Sequence, residues 1–293
     1  MALRPSELIL NEDGSIYHLN LLPQDLAHTI ITVGDPERVA QVSACFDTVE
    51  LRKGKREFHT HTGRLKGKRL TVISTGIGTD NIDIVLNELD ALVNLDFGTK
   101  QVKKNHIRLN IVRIGTSGTL HGDILVDSFL MSEYTFGLDG LWHYYAQREN
   151  DFSDWVTAFV EQCRWPSKMA RPYLVPCDPK LKARFASNHI RFGVTATSTG
   201  FYGPQGRSLR LGAAVDALTG RLAGFSYKGH RITNLEMETS GIYALAGLLG
   251  HRAISLNCIL ANRANGTFSK KPTQSVQNLI EYTLDKLTQD ETR

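Results

Sequence analysis

The chain has 293 residues, of which 41% are hydrophobic and 22% charged, with 34 Lys and Arg against 30 Asp and Glu for a net charge of +4. This composition excludes collagenous, mucin-like and disordered chains and leaves room for one large α/β domain or two smaller ones. The positive excess is small and its members are scattered, so no nucleic-acid-binding stripe is expected and the positions of individual cations matter more than their sum. Cys45, Cys163, Cys177 and Cys258 form no CxxC pair and no zinc spacing. Reduced thiols in a cytoplasmic protein are the expectation. The opening MALRPSELILNEDGS has acids and no long apolar run, and no stretch reaches the roughly 20 apolar residues of a membrane span.

HTIITV (28–33) reads as a buried strand, with a helix opening near Pro36, a good first-turn residue. RLTVIST (69–75) is a second strand, running through Gly76-Ile77-Gly78 into a helix over 81–95, where Ile82, Val85, Leu86, Leu89 and Val93 keep helical spacing. HIRLNIVRIGTSG (106–118) repeats the strand-then-glycine pattern, and RFGVTATST (191–199) is another strand. A helix over 237–250 ends at Gly250, strand 252–262 follows, and an amphipathic helix covers roughly 273–288. The segment 142–190, with three tryptophans and four of the nine prolines, is the least regular and reads as an insertion in a single domain spanning 1–293. Strands alternating with helices predict a mostly parallel or mixed sheet flanked by helices, with functional loops at the carboxyl ends of the strands.

Five segments carry chemistry. In VGDPERV (33–39), Gly34 allows close backbone approach to an anion, and Arg38 adds a planar cation in the first turn of a helix. STGIGTDN (74–81) lacks the third glycine of a dinucleotide fingerprint, and no GxxxxGK[ST] loop occurs, which argues against NAD and P-loop nucleotides. In VRIGTSGTL (112–120), Arg113 stands in an apolar strand, where a buried cation needs an anion or an acid, with Thr116 and Ser117 as hydroxyl donors beside it. In TGFYGPQGR (199–207), Phe201 offers a ring face, Gln205 an amide that donates and accepts, and Arg207 donors only, a set suited to a planar base with several carbonyls. In NLEMETSG (234–241), Glu236 and Glu238 flank Met237; carboxylates accept from the vicinal hydroxyls of a ribose, and Met suits its apolar face. Each segment alone is equally compatible with ordinary turns, ion pairs or helix caps.

In this order, GDPER, KREF (55–58), STGIG, RIGTSG, GFYGPQGR and NLEME resemble the nucleoside phosphorylase-I family, most closely its uridine phosphorylase branch, over most of the chain from YHLNL (17–21) to LANR (260–263). The resemblance implies a three-layer α/β/α fold with a central mixed sheet. It implies a phosphate site at Gly34, Arg38, Arg113 and Thr116, with Arg56 contributed by a neighbouring subunit. It implies a ribose site at Thr116, Glu236, Met237 and Glu238, with His18 from the neighbour, and a uracil site at Phe201, Gln205 and Arg207. Gln205, Arg207 and Arg113 are the residues expected to carry catalysis.

Purine-specific relatives show an SDH-like sequence where this chain has LANRANG (260–266), which favours uridine over purine nucleosides. The resemblance further implies a homodimer as the minimal unit, extendable to a ring of dimers, with inorganic phosphate as co-substrate and no cofactor. A potassium site at the dimer interface would use Glu57 and Ile77, with Asn81 in place of the usual Ser. No nucleic acid or membrane partner is expected. The alternatives are a purine nucleoside phosphorylase, a nucleosidase using water, and a nucleoside-binding protein without turnover. Water as nucleophile does not need three phosphate arginines. The basic stretch FGTKQVKKNHI (97–107) is longer than in compact bacterial members of the family.

Overall fold

Residues 29–33 are a β-branched run with no charge, and they form the buried strand β1 (Thr29–Val33) at the centre of the protein. The computed structural model describes residues 3–146 and 151–289. Helix α1 (Pro36–Ser43) starts where Asp35 caps the Glu37 amide at 2.9 Å, with proline at the first helical position. A meander of β2 (Thr48–Lys55), β3 (Phe58–Leu65) and β4 (Lys68–Ser74) leads into α2 (Thr79–Asn94). A short hairpin, β5 (Leu95–Asp96) and β6 (Gln101–Val102), absorbs much of the basic 97–107 stretch. Strands β7 (Asn110–Thr119) and β8 (Phe129–Gly137) precede α3 (Ser153–Gln162), β9 (Tyr173–Pro176) and α4 (Pro179–Phe185). After β10 (Ile190–Thr197) come α5 (Leu218–Gly224), β11 (Ser226–Tyr227), β12 (His230–Glu236) and α6 (Thr239–Leu249). The described chain closes with β13 (Arg252–Asn262), β14 (Thr267–Phe268) and α7 (Pro272–Thr288).

Apart from the β5–β6 hairpin, the strands form one mixed sheet in the order β11-β12-β10-β8-β13-β7-β1-β4-β3-β2, with β9 on β8 and β14 on β13. β1 runs parallel to β4 and β7, and β7 parallel to β13, whereas β8 is antiparallel to β13. The sheet also closes on itself. β12 pairs antiparallel with β7 through Asn234↔Thr119 and Leu235↔Gly118, so β7, β13, β8, β10 and β12 make a five-stranded ring. The closure brings residues 115–118 against residues 235–238. Inside the ring Ser132, Thr195, Asn234 and Asn257 are fully buried, a polar interior paired with itself. Helices pack outside to complete the three-layer α/β/α arrangement: α6 lies along β13 and β8 and against α2, and α7 covers β13 and β7.

The segment read as least regular, 142–190, contains α3, β9 and α4. These are too short for hydrophobic periodicity to announce. Residues 147–150 within it lie outside the described residues. Its aromatic residues are anchors: Trp155 packs on Tyr134, and Phe159 on Phe136 and Phe225. Strands β2 and β3 are likewise absent from the sequence reading. β2 is the charged outer strand of the meander, and its Lys and Arg side chains hide the β signal while discouraging edge-to-edge association. All four cysteines are free thiols, and no helix among the described residues is long and apolar enough to cross a membrane.

Candidate active site

A cleft of about 670 Å³ opens where the ends of β1, β4, β7, β12 and β13 converge. Gly34, Arg38, Glu57, Ile77, Arg113, Thr116, Phe201, Gln205, Arg207, Glu236, Met237 and Glu238 all line it. Segments spread over two hundred residues of sequence therefore share one cavity, of a size that takes a small-molecule ligand. A second cavity of about 390 Å³ lies behind the 203–204 turn, between Trp165, Met169, Val215 and Leu218. It is mostly apolar, and its one carboxylate, Asp139, already accepts from Tyr173, Ser240 and the Leu141 amide. Convergent polar groups mark the first cavity as the site.

Arg113 crosses the floor, 5% exposed. Its Nη2 donates to Glu238 Oε2 at 2.6 Å and lies 3.3 Å from Glu236 Oε2; its Nη1 donates to Asn257 Oδ1 at 2.9 Å. The guanidinium folds back over Gly115, where a Cβ would lie 1.8 Å from Nη1. Arg38 stands across the floor with no salt bridge or side-chain hydrogen bond among the described residues. Burial lowers its pKa, followed by the opposing pull of Asp35 and the push of Arg113.

The two glutamates have different work. Glu236 Oε2 accepts from the Glu238 amide at 2.9 Å and from the amide and hydroxyl of Thr239 at 2.8 Å, and Oε1 accepts from Thr197 Oγ1 at 2.5 Å. It caps the first turn of α6 and has little capacity left for a ligand. Among the described residues Glu238 accepts only from Arg113 and, at 2.9 Å, from the amide of Gly78, a residue at φ +97° that glycine adopts without strain. The sequence reading gives both carboxylates one role; the hydrogen bonds leave Glu238 as the one with open acceptor sites.

Burial pushes the Glu238 carboxyl above its ordinary value of 4.5, Arg113 opposes this, and neighbouring Glu236 adds to it. Arg113 itself is pushed up by the two carboxylates against its own burial. One cation between two buried carboxylates favours its own charged form and still leaves one carboxylate easy to protonate. A ligand hydroxyl needs the ionised acceptor, so activity should fall with decreasing pH along a limb centred above 4.5. A pH profile of kcat/KM measures this, and a limb at or below 4.5 would falsify it.

At the other end, the turn Gly203–Gln205 is closed by Gln205 and Arg207 amides donating to the Tyr202 carbonyl. Arg207 Nη1 donates to Gln205 Oε1 at 2.6 Å and to the Phe201 carbonyl at 2.7 Å, and the guanidinium stacks 3.9 Å from the Phe201 ring. Phe201 therefore anchors the cation as well as lining the cleft. Gln205 is held with Nε2 as its uncommitted donor and with one lone pair left on Oε1.

Three residues here escaped the sequence reading. Arg263 lies close to Arg207; its Nη2 donates to Thr219 at 3.1 Å, while its buried Nη1 has no hydrogen-bond partner among the described residues. Phe268 on β14 lines the mouth and is 72% exposed. Asn257 lies under Arg113. The ANR sequence at the end of β13 was the only signal for Arg263.

His18 and Arg56 do not line the cleft of their own chain. His18 is tied to Glu88 through Nδ1 at 2.6 Å, and Arg56 sits at φ +57° in the tight turn between β2 and β3. Glu57 and Asn81 meet beside Gly76, where a Cβ would lie 2.3 Å from Asn81 Nδ2 and 3.1 Å from Glu57 Cγ. No cluster of three or more His, Cys, Asp or Glu suited to a metal occurs among the described residues.

A ring-closed mixed sheet whose strand ends gather arginines, a carboxylate with open acceptor sites and a Gln–Arg pair in one cleft defines a small-molecule site. Residues 28–288 match the family described as the phosphorylase superfamily, and the chain belongs to it. The chain is 30% identical to the uridine phosphorylases of Salmonella typhimurium and Escherichia coli, each over 257 residues, covering 85% of this chain and 87% of theirs. It is 29% identical to the uridine phosphorylase of Thermococcus kodakarensis, covering 88% of this chain and 82% of that one. Among solved structures, a Trypanosoma brucei nucleoside phosphorylase described as showing uridine phosphorylase activity superposes with a TM-score of 0.86 at 28% identity, covering 96% of this chain and 99% of that one.

Proposed function

We propose that the protein is a pentosyltransferase catalysing the reversible phosphorolysis of uridine to uracil and ribose 1-phosphate. The observation that carries this is the convergence in one cleft of Arg38 and Arg113, the open carboxylate of Glu238 beside Met237, and the Gln205–Arg207 pair. Gly34, Arg38, Arg113 and Thr116 bind phosphate. Glu238 accepts from the ribose hydroxyls against Met237, with Glu236 holding the turn that aims them. Uracil presents two carbonyls and an N–H. Gln205 Nε2 and Arg207 supply the donors, and the spare lone pair of Gln205 Oε1 accepts the N–H.

The glycosidic bond loosens first, leaving an oxocarbenium-like sugar. Phosphate, held on the opposite face, stabilises that charge and attacks C1′. Such positioning contributes on the order of 7–11 kcal/mol. Uracil departs with negative charge, and Arg207 stabilises it as a fixed donor, because a guanidinium does not give up its proton at neutral pH. No enzyme nucleophile takes part.

Arg56 and His18 belong to a neighbour's cleft in this reading, which makes a homodimer the smallest active unit. Glu57 and Asn81 offer oxygen ligands that suit a monovalent cation shared across that interface. Mixing inactive Arg56→Ala and Arg113→Ala chains should restore measurable turnover in the hybrid dimer; hybrids as dead as their parents remove the shared site.

The deciding experiment incubates the protein with uridine, deoxyuridine, thymidine or inosine, with and without phosphate, and follows free base. Phosphate-dependent release of uracil is expected. Release without phosphate means hydrolysis, and no release from any nucleoside overturns the proposal.

A further inference from the structure

Asn257 is fully buried and does not line the cleft, yet it is the residue that faces Arg113 from the side opposite the carboxylates. The sheet register explains this: β13 pairs with β7 through Asn257↔Gly115, the glycine over which the Arg113 guanidinium is folded. A guanidinium beside a carboxylate tends towards a two-pronged pairing with both oxygens. Here Glu238 receives only one prong at 2.6 Å, while Nη1 is drawn away to Asn257 Oδ1 at 2.9 Å and, more weakly, to Ser255 Oγ at 3.4 Å.

The orientation of the Asn257 amide is itself determined by a buried chain. Thr195 Oγ1 donates to Asn234 Oδ1 at 2.9 Å, and the Asn234 amide donates to Ser117 Oγ at 3.0 Å in the cleft wall. Thr195 has spent its proton on Asn234, so in the 2.6 Å contact between Ser132 and Thr195 the donor is Ser132. Ser132 then accepts from Asn257 Nδ2 at 3.3 Å, as does Ser255 Oγ at 3.3 Å, whose own proton goes to Thr239 because Thr239 donates to Glu236, and Oδ1 is left pointing at Arg113. Turning the amide over would put Nδ2 against a buried cation and Oδ1 against an oxygen with no proton to offer.

We infer that Asn257 is a positioning residue for phosphate binding: it holds the Arg113 guanidinium off full pairing with Glu238, so that the cation stays shared between the carboxylate and an anion in the cleft. This rests on the phosphate-site reading above. The test measures binding of inorganic phosphate by calorimetry to the wild-type protein, Asn257→Leu and Ser132→Ala, with thermal unfolding as the control for folding.

Leucine keeps the branched outline, with bulkier methyl groups in place of the amide atoms, and removes the acceptor. Loss of a hydrogen bond to a charged group should weaken phosphate binding about 10-fold or more. Collapse of Arg113 onto Glu238 should also move the acid limb of the pH profile to lower pH, which a purely packing role would not do. Ser132→Ala removes one of the two bonds that orient the amide, together with the Ser132–Thr195 contact, and should weaken phosphate roughly threefold; it decides the matter if Asn257→Leu does not fold. Unchanged phosphate affinity in the folded variants overturns the inference. Wild-type protein that binds phosphate but releases no base from uridine overturns the uridine reading and leaves this one standing.

Discussion

Arg207→Ala is expected to lower kcat/KM for uridine phosphorolysis about 10²–10³-fold, the usual effect of removing one donor aimed at developing negative charge. Two losses combine. The cation that meets the departing uracil disappears, and Gln205 loses the 2.6 Å contact that fixes its amide. Stability should change by less than about 0.5 kcal/mol, because Arg207 is partly exposed and in no salt bridge among the described residues. Phosphate binding should be unchanged, since Arg38 and Arg113 lie at the other end of the cleft. Arg207→Lys should recover little: an ammonium keeps the charge and its donors but cannot stack as a plane on Phe201 or present those donors in a fixed fork. Steady-state kinetics on uridine check this directly, and near-normal turnover by Arg207→Ala refutes the base-site assignment.

What the sequence made readable was short contiguous chemistry at strand ends. GDPER, RIGTSG, GFYGPQGR and NLEME each carry their reactive groups within a few residues, and each sits where a strand stops, so local pattern was enough to gather them. What it hid depends on pairing between distant segments. Closure of the ring through Asn234↔Thr119 and Leu235↔Gly118 is a long-range event with no local signature. The division of work between Glu236 and Glu238 follows from which donors surround each, and those come from Thr197, Thr239, Gly78 and Arg113. Arg263 and Asn257 come from β13 and its end, which reads in sequence as a structural strand. The polar interior of the ring is tolerated because Ser132, Thr195, Asn234 and Asn257 satisfy one another.

Gly115→Ala should be the most damaging single methyl addition at the site. The new Cβ would lie 1.8 Å from Arg113 Nη1 and 2.3 Å from its Cζ, far inside contact distance. The backbone at this position is not left-handed, so alanine itself is not strained there. Arg113 is flexible enough to move away; the damage lies in what it leaves. Glu238 and Glu236 would lose their shared cation while buried, a change worth about 3–5 kcal/mol where such pairs are broken. Phosphate would lose a buried arginine, for an expected fall in kcat/KM of about 10²–10³-fold. If the glycine matters only through Arg113, then Gly115→Ala combined with Arg113→Ala should be no worse than Arg113→Ala alone, because both remove the same interaction. Full additivity in that double-mutant cycle would mean that Gly115 acts through the strand backbone and that the folded-back guanidinium is not what the site depends on.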